Sequence, residues 1–296
     1  MTTCYVCCPA YALDGPLRRA KLLESIAPFA REFQLEVVPS PLMDRHLGQG
    51  AWLPTAERRS DILRALEHDV VWACAGGYGS AHLAEILMTT RTVKAPLLIG
   101  YSDITVLHAC WRARRWGEGI YGAVPTSRHG RSGETLCALL RGDGYTRSSA
   151  VDAGVRVLRA GQAAGPCMTV CVSVFAGLCG TAAMPDLTGH VLAIEDVDEH
   201  PFQLDFALNQ LHLSGALEGV VGLIGGSFTH KERSDYHGPT IDEVLAEWSH
   251  RLRIPAISRL PFGHIDDGLM MPCGRLIDLR GDERGDWSLV VSPRSR

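Results

Sequence analysis

One unit repeats through the first half of this chain and limits what the chain can fold into. A short apolar run ends in a turn of small residues, and a segment with apolar residues at helical spacing follows. CYVCC is followed by DGPLRRAKLLESIAPFAREF, with Pro16 near the start of that helix. LEVVP precedes TAERRSDILRALEH, where Thr55 is a predicted N-cap. DVVWAC ends in AGGYGS and continues as SAHLAEILMTTR, and PLLIG runs through Tyr101-Ser102-Asp103 into a further helix. Apolar runs this short, bounded by turns, suit strands buried on both faces. Their alternation with helices predicts an α/β fold: a parallel sheet with helices on both faces.

The texture changes between residues 142 and 166, where RGDGYTRSSAVDAG and RAGQAAG are polar, small and rich in turn signals. A linker or crossover is expected there, which divides the chain into residues 1–150 and 151–296. The second part mixes shorter strands (HVLAIE, GVVGLIGG, IPAIS, RLIDL, WSLVVS) with two helices. One helix is PFQLDFALNQLHLSG, and the other begins at Thr240 with the capping-box pattern Thr-Ile-Asp-Glu. A smaller, strand-rich α+β domain is expected.

Bulk properties exclude several function classes. With 46% hydrophobic and 21% charged residues, the chain can bury a large core, so disorder is not expected. A net charge of −4 gives no electrostatic footprint for nucleic acid or an anionic membrane. MTTCYVCCPAY carries no signal-peptide pattern, and no apolar stretch reaches the ~20 residues of a membrane span. Most of the ten cysteines sit inside apolar runs, where a thiol behaves as a small hydrophobe, which suits a reducing cytoplasm. Cys4, Cys7 and Cys8 lack a second pair at metal-site spacing, so neither metal nor cofactor is expected.

Four windows carry chemistry. In an open parallel sheet, ligands sit beyond the carboxyl ends of the strands. Ser102 follows PLLIG at such an end, as a nucleophile with the Asp103 N–H as oxyanion donor, or as a plain helix cap. AGGYGS (Ala75–Ser80) offers free amides after a second strand, for an oxyanion or a phosphate, or is an ordinary turn. In IEDVDEHPF, the crowded carboxylates Glu195, Asp196, Asp198 and Glu199 suit a cation, an acid–base role or plain solvation, and Glu195, which continues an apolar strand, can orient an imidazole. In LPFGHIDDG, Gly263 permits a bend that presents His264. The order Ser102, Glu195, His264 matches one known order of nucleophile, acid and base.

Together AGGYGSAHL, LIGYSDITVLHA, GHVLAIEDVDEHPFQLDFALNQL and LPFGHIDDGLMMPCG resemble the LD-carboxypeptidase family, across roughly residues 70 to 275. That family contains murein tetrapeptide carboxypeptidases and microcin C self-immunity peptidases. The resemblance implies a flavodoxin-like N-terminal domain, a strand-rich C-terminal domain, a homodimer, and a serine peptidase with the triad Ser102, Glu195 and His264. It implies backbone oxyanion donors at Gly77 and Asp103, and substrate contacts around Gly76 and Tyr78. Two departures bear on the substrate. Ala75 stands where relatives often carry arginine, with Arg128 as a substitute, and MTVCVSV (Met168–Val174) replaces a Gly-Gly-Asn-Leu stretch that would line the substrate side. Murein tetrapeptide is the leading substrate. The alternatives are a microcin-type amide, a non-catalytic small-molecule binder, and a nucleotide binder using AGGYGS.

Overall fold

In a computed structural model, residues 2–13, 15–45, 53–92, 94–229 and 235–294 are described. The first half forms β1 (Thr2–Cys7), α1 (Gly15–Glu32), β2 (Leu35–Pro39), α2 (Thr55–Ala65), β3 (Val70–Ala73), α3 (Ala84–Thr89), β4 (Leu97–Gly100), α4 (Thr105–Arg114), β5 (Gly119–Tyr121) and α5 (Gly130–Arg141). Then follow β6 (Tyr145–Ser148), β7 (Arg156–Arg159), β8 (Gly161–Cys171), α6 (Val172–Ala176), β9 (Val191–Asp196), α7 (Pro201–Leu213), β10 (Gly222–Phe228) and α8 (Ile241–Leu252). The chain closes with β11 (Ala256–Ser258), β12 (Met271–Cys273), β13 (Leu276–Gly281) and β14 (Trp287–Val291).

Two sheets result. The first has the order β12-β5-β4-β3-β1-β2, parallel except for β12, which is antiparallel to β5. Its β2-β1-β3-β4-β5 core is the flavodoxin-like order. Side chains alternate between its faces, as the pleat requires. Tyr5, Cys7, Val71 and Leu98 join a core with residues of α2, α3 and α4, whereas Cys4, Val6, Trp72 and Ile99 join another with α1 and α5. The second sheet is a strand-rich half-barrel of order β6-β14-β13-β8-β9-β10-β11-β7. The same two cores continue across it: Met168, Val170 and Ile194 in the first, Cys167, Ala193 and Ile224 in the second. A division at residue 150 would leave β6 and β12 each on the far side of the sheet that it pairs with.

Three local expectations need correction. Residues 142–166 hold β6, β7 and the start of β8 rather than a linker. Gly165 allows that strand to pass close to the next chain segment, because a Cβ there would lie 1.9 Å from the Gly189 carbonyl oxygen. Thr55 is not an N-cap. The α2 helix already includes it, with Pro54 as cap, and its Oγ1 accepts from Arg58 Nη2 at 3.2 Å. Within Met168–Val174, residues 168–172 are buried by the parallel β8–β9 pairing and by core packing and so do not line a substrate space, whereas Ser173 and Val174 are half-buried. Thr240 does cap α8, with the reciprocal contacts of a capping box to Glu243.

Candidate active site

The site lies at the carboxyl ends of β3, β4 and β5, where parallel strands end and helix N-termini begin. Ser102 opens a short 3-10 turn between β4 and α4, and it adopts φ +63. This left-handed conformation costs a residue with a Cβ about 1–2 kcal/mol. It lifts the side chain off the sheet end, as a strand–helix elbow does for a nucleophile. Tyr101, before it, has no side-chain capping bond, and the first amides of the turn, including that of Asp103, lack intrahelical partners by geometry.

The Ala75–Ser80 loop packs against this elbow. A Cβ on Gly76 would lie 3.0 Å from Ser102 Cβ and 3.4 Å from Ser102 Oγ. Gly77 adopts φ +104, and a Cβ there would sit 2.1 Å from the Tyr11 ring, so only glycine fits. Its amide makes no hydrogen bond among the described residues. The Asp103 carboxylate accepts the Ser80 amide at 2.8 Å, so Asp103 ties this loop to the elbow instead of capping its own helix. Burial, the largest effect, raises the Asp103 pKa against that hydrogen bond. From beneath, the fully buried Arg58 guanidinium donates to the carbonyls of Pro9, Leu53 and Gly79. Arg58 was not singled out in the sequence, because an arginine in an amphipathic helix reads as a solvated face.

Glu195 and His264 meet directly. Glu195 sits near the end of β9 with no exposed surface, and its Oε2 lies 2.7 Å from His264 Nδ1. The His264 amide donates to the same oxygen at 3.1 Å. An ionised carboxylate only accepts, so it draws the Nδ1 proton and leaves Nε2 as the basic nitrogen. Gly263 makes the bend possible: it adopts φ +106, and a Cβ would lie 2.5 Å from Glu195 Oε2. The other carboxylate oxygen, Oε1, accepts from Tyr121 Oη at 2.6 Å, and the same phenol oxygen accepts the Ser102 amide at 3.0 Å. Burial and then the Glu195 charge push the Tyr121 pKa well above its ordinary value, so the phenol remains a donor. Tyr121 was missed in the sequence. Its one signal was a polar-tipped aromatic at a strand end in GIYGAV.

The His264 ring packs on Tyr101, with centroids 4.9 Å apart, which sets it beside the residue that precedes Ser102. Among the described residues no hydrogen bond joins Ser102 Oγ to His264. Such contacts are often long before substrate binds. Asp196, at the end of β9, faces the other way and accepts from the Ser173 amide at 2.8 Å and the Val197 amide at 2.9 Å, which fixes the start of α6.

A cavity of about 320 Å³ lies beside His264, between segments 122–132 and 263–269. His129, Ser132 and Asp267 line it. Arg128 does not, because it pairs with Glu32 at 2.7 Å. Tyr78 is half exposed and makes an edge contact with His82.

A model of the LD-carboxypeptidase N-terminal domain matches residues 5–122, and one of the C-terminal domain matches residues 163–279. A Synechocystis sp. protein named "Putative carboxypeptidase slr1534" is 30% identical over 275 residues, covering 91% of this chain and 89% of its own. A Bacillus subtilis protein named "Probable murein peptide carboxypeptidase" is 27% identical over 233 residues, covering 74% and 72%. The muramoyltetrapeptide carboxypeptidase structure from Oxalobacter formigenes superposes with a TM-score of 0.77 at 22% identity, over 99% of this chain and 100% of that one.

Proposed function

The chain belongs to the LD-carboxypeptidase family, a family of serine-type hydrolases, and from that premise we propose that it cleaves the amide bond between an L-centre and a C-terminal D-residue of a small peptide, with murein tetrapeptide as the leading substrate. The observation that carries this reading is the 2.7 Å contact of buried Glu195 with His264, linked through Tyr121 to the amide of a strained Ser102.

In the proposed mechanism, His264 Nε2 takes the proton of Ser102 Oγ as that oxygen attacks the amide carbonyl. Glu195 holds the ring and stabilises the imidazolium that forms. The amides of Gly77 and Asp103 receive the developing oxyanion, each worth about 3 kcal/mol of barrier. His264 then passes its proton to the leaving amine, and water attacks the acyl-enzyme by the same route in reverse.

The name of the Bacillus subtilis relative supports the murein branch. Nine of the ten cysteines are buried free thiols, which supports action in a reducing compartment. Among the described residues no helix is long and apolar enough to cross a membrane. The test is incubation of purified enzyme with an L,D-tetrapeptide, read by mass spectrometry, alongside labelling with a fluorophosphonate. Release of the terminal D-residue and labelling at Ser102 are expected, and both vanish in Ser102→Ala. Equal activity of Ser102→Ala and wild type on every peptide would overturn the reading.

A further inference from the structure

A second cavity, of about 360 Å³, opens above the ends of β3, β4 and β5 on the side of α1. Ala75, Gly76, Tyr101 and Val124 wall it from the sheet, and Arg18 and Lys21 wall it from the first turns of α1. Those two cations are three residues apart, which puts them on one helix face. Among the described residues no acidic side chain lines the cavity. Neither cation forms an ion pair among the described residues, whereas Arg19, between them in sequence and facing elsewhere, pairs with Asp44 at 2.9 Å.

Two uncompensated cations at the rim of a concave space are an arrangement that a carboxylate completes, because a charge-assisted contact is stronger than a neutral one. The small side chain of Ala75 and the bare Gly76 leave the floor open toward the elbow. Gly122, Ala123 and Val124 wall both this cavity and the one beside His264, so the two are parts of one cleft. Gly76 walls this cavity and abuts Ser102, so a group bound between Arg18 and Lys21 would lie on the far side of that wall residue from the elbow.

We infer that Arg18 and Lys21 form the subsite for the free carboxylate of the substrate's C-terminal residue, which makes them specificity residues for a peptide acid over a peptide amide. This inference rests on the peptidase reading above for its ligand, and on the cavity for its location.

The test separates the two. Binding of N-acetyl-D-alanine and of N-acetyl-D-alaninamide is measured by calorimetry on wild type, Arg18→Gln, Lys21→Gln and the double variant. Both side chains are exposed, so the variants should fold, and unchanged fluorophosphonate labelling would verify this. Wild type should bind the acid about tenfold or more tightly than the amide, each single variant should lose about tenfold in acid affinity, and the double variant should show no preference. The same loss should appear in kcat/KM for a tetrapeptide against its C-terminal amide. A wild type without preference, or a double variant that keeps it, overturns the subsite. If the binding preference holds and is lost in the double variant while no peptide is cleaved, the subsite stands and the hydrolytic reading falls.

Discussion

The phenol of Tyr121 donates to Glu195 Oε1 across 2.6 Å while it accepts the backbone amide of Ser102 at 3.0 Å. One oxygen therefore fixes both the acid on the second sheet and the elbow on the first. Tyr121→Phe keeps the buried ring and removes this link. It should lower kcat/KM by about ten- to a hundredfold and stability by about 1–3 kcal/mol, since a buried carboxylate oxygen loses its donor. Steady-state kinetics with urea denaturation checks both, and a variant equal to wild type in kcat/KM would remove Tyr121 from the proposed machinery.

Gly263→Ala adds one methyl group at φ +106, where it would meet Glu195 Oε2 at 2.5 Å. Peptidase activity should fall at least a hundredfold as the Glu195–His264 contact is displaced. Gly154→Ala, with open space around its Cβ position, should be silent and serves as the control.

His108 is fully buried against the elbow, and its Nε2 lies 2.9 Å from the Gly100 carbonyl oxygen. Burial pushes its pKa down to about 4 from an ordinary 6.5. Above pH 6.5 the ring is neutral folded or unfolded and has no effect on pH dependence. As pH falls from 6.5 toward 4, the unfolded chain takes up a proton that the native state refuses, and stability drops by about 3 kcal/mol in all. His108→Gln should flatten this acid-side decline, measured by denaturation at pH 7 and at pH 4.5.

On α7, Leu204, Leu208 and Leu211 are buried, yet Phe202, Phe206 and Leu213 form a second, exposed stripe on the same helix. A surface of this kind is expected to be covered by another copy of the chain. Sedimentation of Phe206→Glu should give a monomer where wild type gives a dimer, and a monomeric wild type would dismiss the idea.

Much of this was legible in the sequence, and what was not has physical reasons. LEVVP matches β2 residue for residue: its adjacent valines and the turns at both ends mark a strand even though β2 is a half-buried edge strand interrupted by Glu36. Glu195 was legible as a carboxylate that continues a buried strand, whereas His264, one of twelve histidines, stood out through the glycine before it and the resemblance of LPFGHIDDG to the family's pattern. β8 was hidden because GQAAGPCMTVC begins with residues of low strand propensity, held by pairing with β13 rather than by their own preference. Tyr121, Arg58 and β12 were hidden for a shared reason. Each is defined by a partner far along the chain, and no local pattern encodes such a partner.

The short strand β12 sets a further condition on this protein. His264 hangs on a loop whose upstream end is β11 in the second sheet and whose downstream end is β12, stitched antiparallel to β5 in the first. The imidazole is thus suspended like a bridge deck between two piers. Any slippage of one lobe against the other would tug on both moorings, so separated halves of this chain should not regain turnover merely by being mixed.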